Sequence, residues 1–169
     1  VFGMEIGDEK RTVHLPLLGE HNMMNALAAA AAAYALGFSA EDIVAGLEDV
    51  VPVAMRLQVI TWRGVRLIND AYNASPASMQ AALTVLSQMT ADRHIAVLGN
   101  MLELGAESLA EHKAIGREAA RLRLDGLVTI GDGGCQIAAG AREAGMAEHK
   151  LCSFTSGAGA AKYLSDSPR

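Results

Sequence analysis

Seven polar residues have the types that together recognise a nucleotide: His21, Asn22, Asn25, Arg56, Asp70, Tyr72 and Asn73. Side-chain amides read an adenine edge, a carboxylate accepts from ribose hydroxyls, a guanidinium binds phosphate, and an imidazole or phenol ring stacks. Asn22 and Asn25 are three residues apart, so they share one face of a helical first turn. Asp70, Tyr72 and Asn73 fall within VRLINDAYNASPASM, Val65 to Met79. That stretch opens as a strand with Val65, Leu67 and Ile68. It closes as a helix start, with Ser75 as N-cap and Pro76 at the first helical position. Polar groups are thereby delivered to the carboxyl end of a strand, where open α/β sheets bind ligands. Each residue also has a plain structural reading. Asn22 suits a helix cap, Arg56 a rim salt bridge, and the loop at Asp70 an ordinary polar link.

Other chemistries lack their residues. IGDGG, Ile130 to Gly134, is an incomplete dinucleotide fingerprint and reads first as a tight turn between strand and helix. No Walker A lysine motif occurs. The five histidines (14, 21, 94, 112 and 149) show no pair at metal spacing. Glu103 and Glu107 read as solvated residues ahead of a helix, and no Ser/His/Asp nucleophile set can be assembled. Cys135 and Cys152 match no metal spacing and read as two thiols in a reducing cytoplasm.

The elements that must position the polar set follow from periodicity. Val1 to Ile6 and Arg11 to Leu17 read as short strands around a Gly7-Asp8 turn. A helix starting at His21 or Asn22 runs to about Leu36, with Gly37 as its stop. Its middle, ALAAAAAAYAL, has high helix propensity and little bulk. Ser39 with Asp42 resembles a capping box for a helix to about Val50. Pro52 ends that pattern and marks a domain boundary.

From Leu57 the pattern alternates strands and helices. Strands are expected at Leu57 to Trp62 and Val65 to Ile68, around a short Arg63-Gly64 turn, and at His94 to Leu98, Gly126 to Ile130 and Lys150 to Phe154. Helices are expected from Pro76 (with Met79, Leu83, Leu86 and Met89 on one face), at Ser108 to Leu122, at Cys135 to Ala144 and from Ala158 to Leu164. In the second of these, Leu109, Ile115, Ala119 and Leu122 share a side. Strands separated by helices of this length indicate βαβ units and a mostly parallel, doubly wound sheet.

The chain has 169 residues, 51% hydrophobic and 20% charged, enough for a substantial core. A net charge of −5 argues against a general nucleic-acid or anionic-membrane surface. The apolar run Ala26 to Phe38 is too short to span a bilayer, and no signal peptide is evident. The opening VFGMEIGDEK lacks an initiator Met and starts in mid-pattern, so the chain reads as a segment of something longer.

GEHNMMNALAAAAAAYALG, PVAMRLQ, INDAYNASPASMQAAL and VLGNMLELG, in that order, closely resemble successive motifs of the Mur ligases. The resemblance covers roughly residues 15 to 145. It implies an α/β fold with a Rossmann-like, doubly wound carboxyl-terminal domain at 54–169, lacking its last strand and helix. Residues 1–53 would be the helical tail of the central ATPase domain. The implied reaction is ATP-dependent amide formation in peptidoglycan precursor synthesis. DAYNASPASM and LGNMLELG look most like the member whose substrates are UDP-MurNAc-tripeptide and D-alanyl-D-alanine.

Carried over by motif, Asn22 and Asn25 match asparagines near the adenine and phosphates, with His21 beside the base. Arg56 matches an arginine directed at nucleotide phosphate, and Asp70 a carboxylate on the ribose. Tyr72 is placed by the nucleotide, Asn73 and Ser75 by the incoming dipeptide. ATP and Mg2+ are the implied cofactors, and the family's metal ligands and phosphate loop lie outside these residues. The segment alone is therefore expected to be inactive, cytoplasmic and monomeric, with no nucleic-acid partner and no membrane insertion. Two departures stand out. Met55 precedes Arg56 where the family usually has glycine, and Asn100 stands where aspartate is usual. Two other readings remain open: a nucleotide-binding module without chemistry, and an NAD-dependent oxidoreductase domain resting on the βαβ pattern and IGDGG.

Overall fold

Alternating Met4 and Ile6 on one strand and Val13 on the next give a hairpin one apolar face. The computed structural model describes residues 1–166 and divides into two compact units, Val1–Tyr72 and Asn73–Arg169. In the first unit β1 (Phe2–Ile6) and β2 (Glu9–Val13) pair antiparallel, with Phe2 opposite Val13. The second strand was expected to reach Leu17. It stops at Val13, and the next N–H, that of His14, donates to Glu48 Oε1 at 2.8 Å and not to a strand. Helix α1 (Glu20–Ala35) and helix α2 (Ala40–Glu48) cover the hairpin. Ala26 and Ala30 of α1 share a core with Met4, Ile6, Val13, Ile43 and Leu47. Ser39 caps α2 as its sequence suggested, its Oγ accepting from the Asp42 N–H at 3.1 Å.

A second hairpin ends this unit. β3 (Gln58–Trp62) and β4 (Val65–Asn69) pair antiparallel through the Arg63-Gly64 turn. Both turn residues have positive φ, +49° and +81°, the geometry that matches strand twist in a two-residue loop. These two strands form a sheet of their own, so the parallel sheet begins later than the alternating pattern implied.

The second unit opens with helix α3 (Pro76–Gln88), where Ser75 and Ser78 cap reciprocally. Met79, Leu83 and Val85 are buried. Met89, expected on that face, is instead the extended residue that ends the helix. β5 (Ile95–Leu98), α4 (Ser108–Arg121), β6 (Gly126–Ile130), α5 (Gly131–Glu143), β7 (Leu151–Phe154) and α6 (Gly157–Asp166) follow. The three strands are parallel in the order β5-β6-β7, as βαβ crossovers require. Ala96, Leu127 and Leu151 of the strands pack with Met79, Leu83, Ile115 and Ile137 of the helices.

Two helices depart from expectation. Leu109 is 55% exposed, because α4 buries His112, Ile115, Gly116 and Ala119 instead. Helix α5 starts at Gly131, four residues before Cys135, so IGDGG is a strand end running directly into a helical turn.

Candidate nucleotide-facing site

Helix α1 begins after Gly19, whose φ of +92° turns the chain into the first helical residue. Asn22 lies inside the helix and is not its cap. Its amide Nδ2 donates back to the Leu18 carbonyl at 2.7 Å, and its Oδ1 accepts from Asn25 Nδ2 at 3.3 Å. The amides therefore form a short chain along one face, and Asn25 and His21 are exposed.

Arg56, Asp70 and Tyr72 meet at the open end of the β3–β4 hairpin. Asp70 follows β4 and accepts the Leu57 N–H on Oδ1 at 2.9 Å. The Met55 carbonyl accepts from the Tyr72 N–H at 3.2 Å, and Gln58 Oε1 accepts from the Met55 N–H at 3.2 Å. These bonds close the loop before β3 onto the loop after β4. The Arg56 guanidinium carbon lies 4.3 Å from the Tyr72 ring centroid, and Tyr72 is 63% exposed. An exposed cation on an aromatic ring, with a carboxylate bonded to the backbone of the next residue, suits a phosphorylated ligand. Met55, at the position where the related motif carries glycine, has φ +61°, the left-handed conformation that glycine adopts freely.

The remaining residues separate. Asn73 and Ser75 belong to the second unit. Ser75 is engaged by the helix it caps, its Oγ accepting from the Ser78 N–H at 3.3 Å while its own N–H is held by Ser78 Oγ at 3.0 Å. Asn73 is exposed. The α1 amides and the Arg56 cluster are two local sets within Val1–Tyr72.

Gln58 went unnoticed in the sequence, because a glutamine opening a strand carries no signal that it binds the backbone three residues earlier. A second cluster was also missed. His112 is 2% exposed, donates Nδ1–H to the Ser108 carbonyl at 2.6 Å and accepts the Met101 N–H on Nε2 at 2.9 Å. Asn100 Oδ1 accepts the Gly133 N–H at 2.9 Å, at the start of α5. A methyl group on Gly133 would overlap the His112 ring, with Cδ2 only 2.7 Å away. The IGDGG glycines are thus accounted for by side chains packed on them.

Among the described residues no group of three or more His, Cys, Asp or Glu is placed to hold a metal ion. No helix among them is long and apolar enough to cross a membrane.

A family model described as Mur ligase, glutamate ligase domain, matches residues 55–167. The chain belongs to the Mur ligase family. It is similar to the UDP-N-acetylmuramoyl-tripeptide–D-alanyl-D-alanine ligases of Mycobacterium tuberculosis (42% identical over 139 residues, 78% of this chain and 27% of the relative) and Bacillus subtilis (42% over 134, 78% and 29%). The Escherichia coli ligase is 41% identical over 138 residues, 81% of this chain and 30% of the relative. Among solved structures, MurF from Acinetobacter baumannii superposes with TM-score 0.87 at 39% identity, covering 98% of this chain and 35% of that one. MurF from Thermotoga maritima in complex with ADP shares the fold, with TM-score 0.77 at 24% identity, over 96% of this chain and 36% of that one. The chain thus spans about 27–30% of the length of these curated relatives. The α/β, Rossmann-like reading and the likeness to the D-alanyl-D-alanine-adding member are both borne out.

Proposed function

We propose that this chain is part of an ATP-dependent ligase that joins D-alanyl-D-alanine to UDP-MurNAc-tripeptide. The observation that carries the reading is the agreement of ligase relatives near 42% identity with a local geometry suited to a nucleotide. In the proposed reaction the tripeptide carboxylate attacks the terminal phosphorus of ATP, forming an acyl phosphate and releasing ADP. The dipeptide amine then attacks the acyl carbon, loses a proton, and expels inorganic phosphate to leave an amide.

Arg56 would bind nucleotide phosphate, with Tyr72 beside it. Asp70 would accept from a ribose hydroxyl on the carboxylate oxygen that Leu57 does not use. Asn22 and Asn25 would meet the base and phosphates, with His21 packed alongside, and Asn73 and Ser75 would lie toward the dipeptide. The metal ligands would come from outside these residues, so the 169-residue chain alone would not turn over. The same reading assigns residues 1–53 to the end of an ATP-binding domain, residues 54–169 to the carboxyl-terminal domain, and a cytoplasmic location.

The test expresses the complete reading frame that encodes this chain and measures ADP release. Release should require both UDP-MurNAc-tripeptide and D-alanyl-D-alanine, and should fall in Arg56→Ala and Asp70→Ala. Release that ignores the dipeptide would overturn the ligase reading and leave a nucleotide-binding module. Turnover by the 169-residue chain on its own would overturn its inactivity.

A further inference from the structure

Of the three non-glycine residues with positive φ in this unit, Arg63 sits in the β3–β4 turn and the other two flank Arg56. Met55 and Leu57 have φ of +61° and +46°, a left-handed conformation that is sterically costly for a non-glycine residue. Such strain persists where surrounding contacts over-determine it, and it concentrates at ligand-binding positions. The contacts here are specific. Gln58 Oε1 holds the Met55 N–H at 3.2 Å, and Asp70 Oδ1 holds the Leu57 N–H at 2.9 Å. Gln58 is itself fixed by the ladder, paired with Asn69, the residue before Asp70. Both left-handed residues are therefore braced from one end of one hairpin, and Arg56 is presented between them. Its guanidinium then rests 4.3 Å from the centre of the Tyr72 ring. A long arginine side chain has many rotamers to lose, and a ring already beneath it reduces what a ligand must order.

We propose that Gln58 and the Tyr72 ring are positioning residues for Arg56, holding its guanidinium ready for a nucleotide phosphate. The proposal rests on the nucleotide reading of Arg56 given above. It assigns Gln58 a part in the site that it plays without touching ligand, and it gives the Tyr72 ring to the guanidinium and not to the base.

The first arm of the test uses the 15N-labelled 169-residue chain. The Arg56 Nε–H resonance should be displaced upfield by the Tyr72 ring current. Gln58→Leu should move the Met55 amide and return the Arg56 signal toward that of a free arginine, whereas Gln58→Glu, which keeps an oxygen acceptor, should restore both. Should Gln58→Leu disrupt the hairpin, Tyr72→Leu decides: the displacement should vanish while the Met55 amide stays in place. An Arg56 resonance unaffected by Tyr72→Leu overturns the proposal.

The second arm measures steady-state kinetics in the complete ligase. Gln58→Leu should raise KM for ATP about tenfold or more with a smaller change in kcat, and Gln58→Glu should recover most of it. An unchanged KM in Gln58→Leu overturns the positioning role. An unchanged KM in Arg56→Ala overturns the nucleotide reading instead, and the resonance arm keeps the two failures distinct.

Discussion

Gly116 of α4 lies so close to Ala141 of α5 that a methyl group on it would stand 2.7 Å from the Ala141 nitrogen and overlap the Ile137 carbonyl oxygen. The contact is reciprocal, since a methyl on Gly140 would stand 2.7 Å from the Lys113 α-carbon. Backbone meets backbone here, and neither helix can yield without shifting on the sheet. Alanine is about 1 kcal/mol better than glycine in a helix interior. Overpacking costs 1–3 kcal/mol or more and should win. Gly116→Ala and Gly140→Ala are each expected to lower stability by about 1–2 kcal/mol net in urea unfolding. Gly46 of α2 has nothing within 4 Å of its missing methyl, so Gly46→Ala should stabilise. Equal effects at Gly46 and Gly116 would refute the crossing.

Asn100 caps a helix that is distant in sequence. Its Oδ1 accepts the Gly133 N–H at 2.9 Å, and α5 has no cap of its own from Ile130. Loss of an N-cap acceptor costs about 0.5–2 kcal/mol, so Asn100→Ala should fall in that range. Asn100→Asp keeps the acceptor and adds a charge favoured at a helix N-terminus by about 0.3–1 kcal/mol. Asp132, in the same first turn, opposes that gain. The expected order of melting temperatures is therefore aspartate at or above asparagine, with alanine below. A variant Asn100→Ala as stable as the parent would show that the bond carries nothing.

His112 is more demanding because both its ring nitrogens are spoken for. Its Nε2 takes the Met101 N–H and its Nδ1–H serves the Ser108 carbonyl, in a setting 2% exposed. His112→Leu preserves bulk but leaves a buried donor without a partner, at about 1–3 kcal/mol. Hydrogen exchange at Met101 should accelerate selectively, by more than the global loss of stability explains. Exchange at Met101 that merely follows global unfolding would argue against the bond.

The strands, the caps at Ser39 and Ser75 and the parallel βαβ series were legible because they rest on local periodicity and capping chemistry. The polar set was legible by type, and its assembly was not. Nothing in the order of residues shows that Asp70 would reach back to Leu57, or that Asn22 would donate to Leu18 and leave its oxygen to Asn25. The Val65–Ile68 strand and its Arg63-Gly64 turn were placed correctly, but that the hairpin stands apart from the parallel strands was not legible from its own residues. Leu109 was misread since neighbouring apolar stripes differ only by a modest rotation about the helix axis, and only the tertiary partner chooses. Met55 was marked as a departure from the related motif. The structure shows a side chain tolerated in a left-handed position by bonds that no local pattern encodes.

Acid should weaken the second unit through carboxylates held by cations. Hydrogen bonds from Arg121 to Glu118, from Lys113 to Glu143 and from Arg142 to Glu148 each lower the carboxyl pKa below its ordinary value near 4.5. The lowered value means that the unfolded chain binds more protons than the folded one as the pH falls below about 4.5. The stabilisation is present in full above that value and is lost as the pH drops through the folded pKa. All three pairs lie at the surface, so the effect should be modest and reduced by about 0.5 M salt. Lys113 Nζ and Glu143 Oε1, 2.5 Å apart, join α4 to α5, which makes Glu143 the informative position. In Glu143→Gln the decline of the urea midpoint between about pH 5 and pH 3 should be shallower than in the parent at low salt. Parallel declines in the two proteins would mean that this ion pair contributes nothing to the pH dependence.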